Sequence, residues 1–193
     1  MKKFCRSVSL ISIISVLLLG CKNKDQELVF ENYVEIGDNS YEIVGGIIEN
    51  FGPYSEEYTE GDEYEGNNLD LKLITKGLHL MSYLNEYFIQ GEGHVLNFEM
   101  FASNPKILDN GKYEYSLSSP HPVKAFDYAD YILNYDLEDE YEGEGEEIID
   151  GKVYVIRDED EYEITFMCVD INNVKIKGYY KGTLRYVDSS EEM

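Results

Sequence analysis

Two acidic stretches, EEYTEGDEYEG at 56–66 and LEDEYEGEGEE at 137–147, concentrate oxygen ligands and share the pentapeptide DEYEG. Carboxylates and carbonyls are what Ca²⁺ recruits, in sets of roughly six to eight oxygens. Asp62 and Glu63 from one stretch, with Asp139 and Glu140 from the other, are therefore the candidate cation ligands. Tyr58, Tyr64 and Tyr141 stand beside these carboxylates and form a candidate glycan platform, rings stacking while carboxylates accept hydrogen bonds. Neither stretch has the D-x-[DN]-x-[DN]-G spacing of an EF-hand. The plainer alternative is a solvated acidic face and ordinary β packing of the tyrosines, with no cofactor, since charge runs usually stay in water.

Other chemistry is sparse. His79, His94 and His121 form no HxH, HExxH or Cys/His spacing for zinc, and His121 sits between Pro120 and Pro122. With 39 acidic residues, some carboxylate pair will match any separation, so a glycosidase reading carries no information. There is no GxSxG and no Cys/His nucleophile context. Catalysis is not expected.

The ends say where the chain works. Lys2, Lys3 and Arg6 precede an apolar run from Val8 to Gly20, interrupted only by serines. That run falls short of the ~20 apolar residues a bilayer core requires, and it has the form of an export signal. The closing Leu18-Leu19-Gly20-Cys21 resembles the bacterial lipobox. The resemblance implies that Cys21 is diacylated and becomes the first mature residue. Two acyl chains hold a protein stably at a membrane, at ~0.8 kcal/mol per buried CH₂. Loss of residues 1–20 removes three basic residues, taking the net charge from −23 to −26. A nucleic-acid partner is excluded at that charge. Only Cys168 remains beyond Cys21, so no internal disulfide is available and an ordinary core must hold the domain.

The elements that must position these residues read as strands. Residues 21–30 form a tether, 31–188 one all-β domain, and 189–193 a disordered tail. Period-two patterns place strands at 33–36, 41–50, 69–76, 94–102, 112–117, 148–156, 161–170 and 174–187. Residues 77–90 suit either a helix or one long strand; in 122–136, Val123, Phe126, Ala129 and Ile132 stand at helical spacing while the Tyr and Phe content suits a strand, and the strand is preferred. Gly45-Gly46 inside a strand predicts a bulge or a sharp bend, as at barrel corners. Near the C-terminus, Tyr162, Ile164, Phe166 and Cys168 share a face, as do Val174, Ile176, Tyr180, Leu184 and Tyr186. Apolar faces must meet, so even positions pair with even, Asp170 pairs with Val174 across a three-residue loop, and Glu163 lies opposite Lys181. On the other face, Lys175, Lys177, Lys181 and Arg185 balance cross-strand charge or dock an anionic partner. The fold expected is an antiparallel β-sandwich or a meander, lipocalin-like barrel. In a pure up-and-down meander that includes a strand at 126–135, the two acidic loops fall at the same end.

The run GKVYVIRDEDEYEITFMCVDINNVKIKGYYKGTL at 151–184 resembles the closing strands of uncharacterised all-β lipoproteins of the Bacteroidota type. GEGHVLNFEMFAS…LDNGKYEYS at 91–116 and FDYADYILNYD at 126–136 resemble the middle of the same proteins. The resemblance implies an envelope β domain held at the outer membrane by lipid on Cys21, and it brings no catalytic motif. The expected function is a non-enzymatic binding or accessory module with a glycan or an envelope protein as partner. The alternatives are an assembly protein offering an edge strand, and a carrier of a small apolar ligand.

Overall fold

A computed structural model describes residues 31–55, 63–83, 86–136 and 145–190. The described chain contains eleven strands and no helix: β1 Tyr33–Ile36, β2 Asn39–Gly52, β3 Asn67–Thr75, β4 Leu78–Tyr83, β5 Glu86–Ala102, β6 Gly111–Tyr115, β7 Ala125–Asp136, β8 Glu146–Asp158, β9 Glu161–Asp170, β10 Lys175–Thr183 and β11 Arg185–Asp188. The sheet runs β1-β10-β9-β8-β6-β7-β5-β3-β2-β11, and β1 also pairs with β2, so the sheet closes into a ring. Closure removes edges along the ring.

Two local devices complete the ring. β6 wedges between β7 and β8 where those strands separate, parallel to β7 and antiparallel to β8. β1 is short, and past its start the chain of β10 continues as β11, which takes the vacated place beside β2 as a parallel neighbour, Arg185 opposite Ile47.

The alternating pattern sets which face is inside. β9 alternates exposed and buried along its whole length because Tyr162, Ile164, Phe166 and Cys168 all point to the core. Even residues pair with even across β9 and β10, with Lys181 opposite Glu163 as the apolar faces require. Asp170 N donates to Val174 O at 3.1 Å, and Asn173 adopts φ +60°, a left-handed conformation asparagine tolerates. Buried Asp170 staples this turn, accepting from Asn172 N and Val174 N at 2.8 Å each and from Tyr131 Oη at 2.8 Å.

The ring interior is filled by side chains. Leu69, Leu71, Leu73, Leu96, Phe98, Met100, Phe126, Val153, Ile164, Phe166 and Ile176 form one buried cluster. Within it the Phe98 ring lies 5.5 Å from Phe166 and 5.9 Å from Phe126. A ring of about eight strands is just wide enough for side chains to fill.

Several expectations need correction. Residues 77–90 are neither one helix nor one strand. Gly77 and Gly91 have φ +103° and +110°, and each lies so close to backbone oxygen that a Cβ could not fit. The pair bends the chain into a ribbon, β4 against the first half of β5, that leaves the ring. The last strand is broken at Leu184 into β10 and β11. Ser189, the first residue of the expected disordered tail, is buried, donating from N to Asn50 O at 2.9 Å and from Oγ to Glu49 Oε1 at 2.7 Å.

The end-to-end argument fails although 126–135 is a strand. β6 and β7 are parallel, so the connection between them crosses the length of a strand instead of turning at one end. The connection from β2 to β3 and the connection from β7 to β8 therefore sit at opposite ends of the ring.

Candidate binding cleft and an acidic outer row

A cleft of about 620 Å³ opens on the outside of the ring. Its walls are the start of the ribbon (Lys76 to Leu80), the β2 bulge (Val44 to Gly46) and the β10–β11 junction (Tyr180 to Thr183, with Arg185). The bulge anticipated at Gly45-Gly46 is present, as a shift of register between Ile43 and Gly45. Gly46 packs tightly: a Cβ there would be 2.5 Å from Lys72 O and 2.9 Å from both Leu73 and Leu184.

The ribbon folds toward β11. Leu80 and Ile89 pack on Ile74, Leu78 and Val95, and the Arg185 guanidinium lies 5.5 Å from the Tyr87 ring centroid. β4 pairs with β5 alone among the described strands, and the cleft borders β4. The floor is apolar (exposed Val44, with Ile74, Leu78 and Leu80) and the rim cationic (Lys76, Lys181 and Arg185). Two rim charges are partly balanced: Lys76 Nζ lies 3.2 Å from Glu42, and Lys181 Nζ lies 3.3 Å from Glu161, whose hydrogen bond raises the lysine's pKa. The size and mixed lining suit a ligand site.

Asn32 fixes where the chain enters. Its side chain donates to Lys181 O at 3.1 Å and accepts from Lys181 N at 2.7 Å, while its carbonyl accepts from Ile43 N at 3.1 Å. The start of the described chain thus lies on the cleft wall.

A second feature lies on the outer face of β2, β3, β5 and β7. Glu49 opposes Asp70, Asp70 opposes Glu99, and Asp127 follows at the β5–β7 bulge. Like charges directly opposite across strands repel. Burial, reinforced by Glu99, pushes the Asp70 carboxyl up to about 7, with Lys72 opposing. Burial and then Asp127 push Glu99 up to about 7 against a hydrogen bond from Asn68 of 2.6 Å. Lys72 pairs with Glu49 at 2.7 Å. At the row's end, buried His121 stacks on Phe101, centroids 5.1 Å apart, with Nδ1 3.1 Å from Ser116 O and Nε2 3.0 Å from Asp127 Oδ2. These contacts on both ring nitrogens and one ring face hold His121 in one orientation.

The residues singled out from sequence fare unevenly. Cys21, Tyr58, Asp62, Asp139, Glu140 and Tyr141 lie outside the described residues. Glu63 is exposed, and its carbonyl accepts from His121 N at 2.7 Å. Tyr64 is buried, stacked on Phe101 at 4.9 Å and edge-on to Tyr54 at 5.7 Å, and its hydroxyl donates to Gly52 O at 3.2 Å. Its faces are taken by protein, so it is not an open stacking platform. Among the described residues no group of three or more His, Cys, Asp or Glu is placed to hold a metal ion. His94 accepts from Asn134 N at 3.0 Å, and burial lowers its pKa. The basic stripe faces outward, and Lys177 pairs with Glu35 at 2.8 Å.

Sequence reasoning missed the Glu49–Asp70–Glu99 row, although Asp70 and Glu99 each interrupt an apolar strand at an outward position. It also missed the cleft, whose one sequence signal was Gly45-Gly46. No family model matches the chain, and no curated protein and no solved structure is detectably similar to it.

Proposed function

We propose that the chain is a lipid-anchored, non-enzymatic accessory module of the cell envelope that receives an extended polypeptide segment along the free edge of β4. The observation that carries this reading is that β4 pairs on one side only among the described strands, and that its Leu78, His79 and Leu80 line a cleft with apolar and cationic walls. An edge strand supplies main-chain hydrogen bonds to any extended segment, and the pockets beside it select side chains. The packed ring interior argues against the carrier alternative. Lipid on Cys21 and an outer-membrane location remain part of the proposal, supported by the lipobox-like end of the apolar leader and by the resemblance of residues 151–184.

The test is panning a random peptide library against the folded chain and against the double variant Val44→Glu, Lys181→Glu. Both side chains are exposed, and a thermal melt of the variant checks that its fold is retained before panning. Enrichment of apolar-acidic peptides that bind the parent and not the variant is expected. Failure to enrich any peptide dependent on the cleft would sink the reading. Anchoring is tested separately by labelling cells with a fatty-acid probe, where Cys21→Ser abolishes incorporation.

A further inference from the structure

We infer that the polypeptide received at β4 is β4 of a second copy of this chain, the two strands running antiparallel about a two-fold axis. The inference rests on the edge-acceptor reading and names its partner.

Charge comes first. Edge strands commonly carry charged side chains, which discourage pairing with another chain. Among the described strands, β4 and β11 have a single partner each. β11 is bounded by Arg185 and Asp188. β4, Leu78-His79-Leu80-Met81-Ser82-Tyr83, contains no Asp, Glu, Lys or Arg, and it is the one described strand of which this is true. Copies of a chain of net charge −23 repel one another over most of their surface. A charge-free edge is where two of them meet with least repulsion.

The ribbon also leaves apolar surface uncovered. One of its faces is anchored, with Leu80 and Ile89 packed on Ile74, Leu78 and Val95. Neighbouring residues of a strand point to opposite faces. On the other face Met81 stands directly across from Phe88, and both are exposed. A two-stranded ribbon is marginal by itself, and added strands stabilise it.

Symmetry then fixes which faces meet. Antiparallel copies of one strand are related by a two-fold axis perpendicular to the sheet, and that rotation keeps each face on its own side. Even positions must therefore oppose even positions. A pairing centred on Leu80 or Met81 engages most of β4. It sets Met81 opposite or diagonal to its counterpart, within reach of a long side chain. The two Met81–Phe88 patches then share one face of a four-stranded ribbon.

Sedimentation velocity of the folded chain, made without lipid, reads the association. Dimer is expected to appear between about 1 and 100 µM. Met81→Lys places like charges near the axis and should raise the concentration of half-dimerisation by about tenfold or more, and Met81→Glu likewise. Mixing the two variants should restore a mixed dimer, which a ribbon that had merely lost its fold would not do. Ile156→Lys, at an exposed apolar position of β8, should leave the dimer unchanged. A chain that stays monomeric at about 100 µM would overturn the proposal. So would a dimer that withstands both Met81 substitutions, or variants that fail to associate when mixed. Cleft-dependent library peptides bound by a chain that stays monomeric would leave the edge-acceptor reading standing while this proposal falls.

Discussion

Asp70→Asn should make this protein more stable at alkaline pH, although it removes a charged residue from an ordered strand. The Asp70 carboxyl titrates near 7 in the fold against an ordinary 3.8, chiefly through burial and then through Glu99. Its folded pKa is thus raised above the unfolded value. Between about pH 4 and 7 the native state holds a proton that the unfolded chain has released. Stability therefore falls as pH rises through that window and levels off above it. Three pKa units correspond to an upper bound of about 4 kcal/mol. Water reaches the row in part and the carboxylates share the strain, which brings the expected penalty to about 2 kcal/mol at pH 8. Asparagine keeps the shape and removes the ionisation. Urea unfolding should show Asp70→Asn gaining about 2 kcal/mol at pH 8 and less than about 1 kcal/mol at pH 4.5, with a flatter pH profile. Loss of stability at pH 8 would refute the reasoning, because it would mean that attraction to Lys72 outweighs burial and repulsion.

Other outcomes are equally specific. Gly46→Ala should cost about 2 kcal/mol through its clash with Lys72 O, whereas Gly45→Ala, with nothing within 4 Å of its Cβ, should stay within about 0.5 kcal/mol; paired thermal melts separate them. Asp170→Ala strips three hydrogen bonds from a buried turn and should cost about 3 kcal/mol in urea unfolding, and Tyr131→Phe about 1 kcal/mol. Burial pushes the Cys168 thiol up to about 12, so a thiol-specific disulfide reagent at pH 8 should react at the rate of unfolding and not before.

The resting places of the strands show what local pattern can and cannot encode. β1 and β9 begin and end where period-two alternation places them, and the β9–β10 register follows from the need to set apolar faces together. Such features depend on a residue and its near neighbours. The ribbon at 78–91 was ambiguous because Leu78, Leu80, Met81, Phe88 and Ile89 carry apolar groups on both faces, so no single period stands out. The two glycines that bend it, Gly77 and Gly91, matter through close approach to each other's strands, which spacing in sequence does not reveal.

The residue pattern by itself determined an all-β chain, its outward charge, the bulge at Gly45-Gly46 and the turn at Asp170 to Val174, because alternation, glycine and asparagine act over a few residues. Tertiary structure decided the rest. Closure of the ring through β1, the parallel insertion of β6, and the replacement of β1 by β11 beside β2 all depend on pairings between distant strands. Those pairings put the β2–β3 and β7–β8 strand ends at opposite ends of the ring, brought Asp70 against Glu99, and left β4 paired on one side only among the described strands. Backbone hydrogen bonding is the same for any pair of strands, so partner choice is settled only when the whole set of apolar faces is enclosed at once.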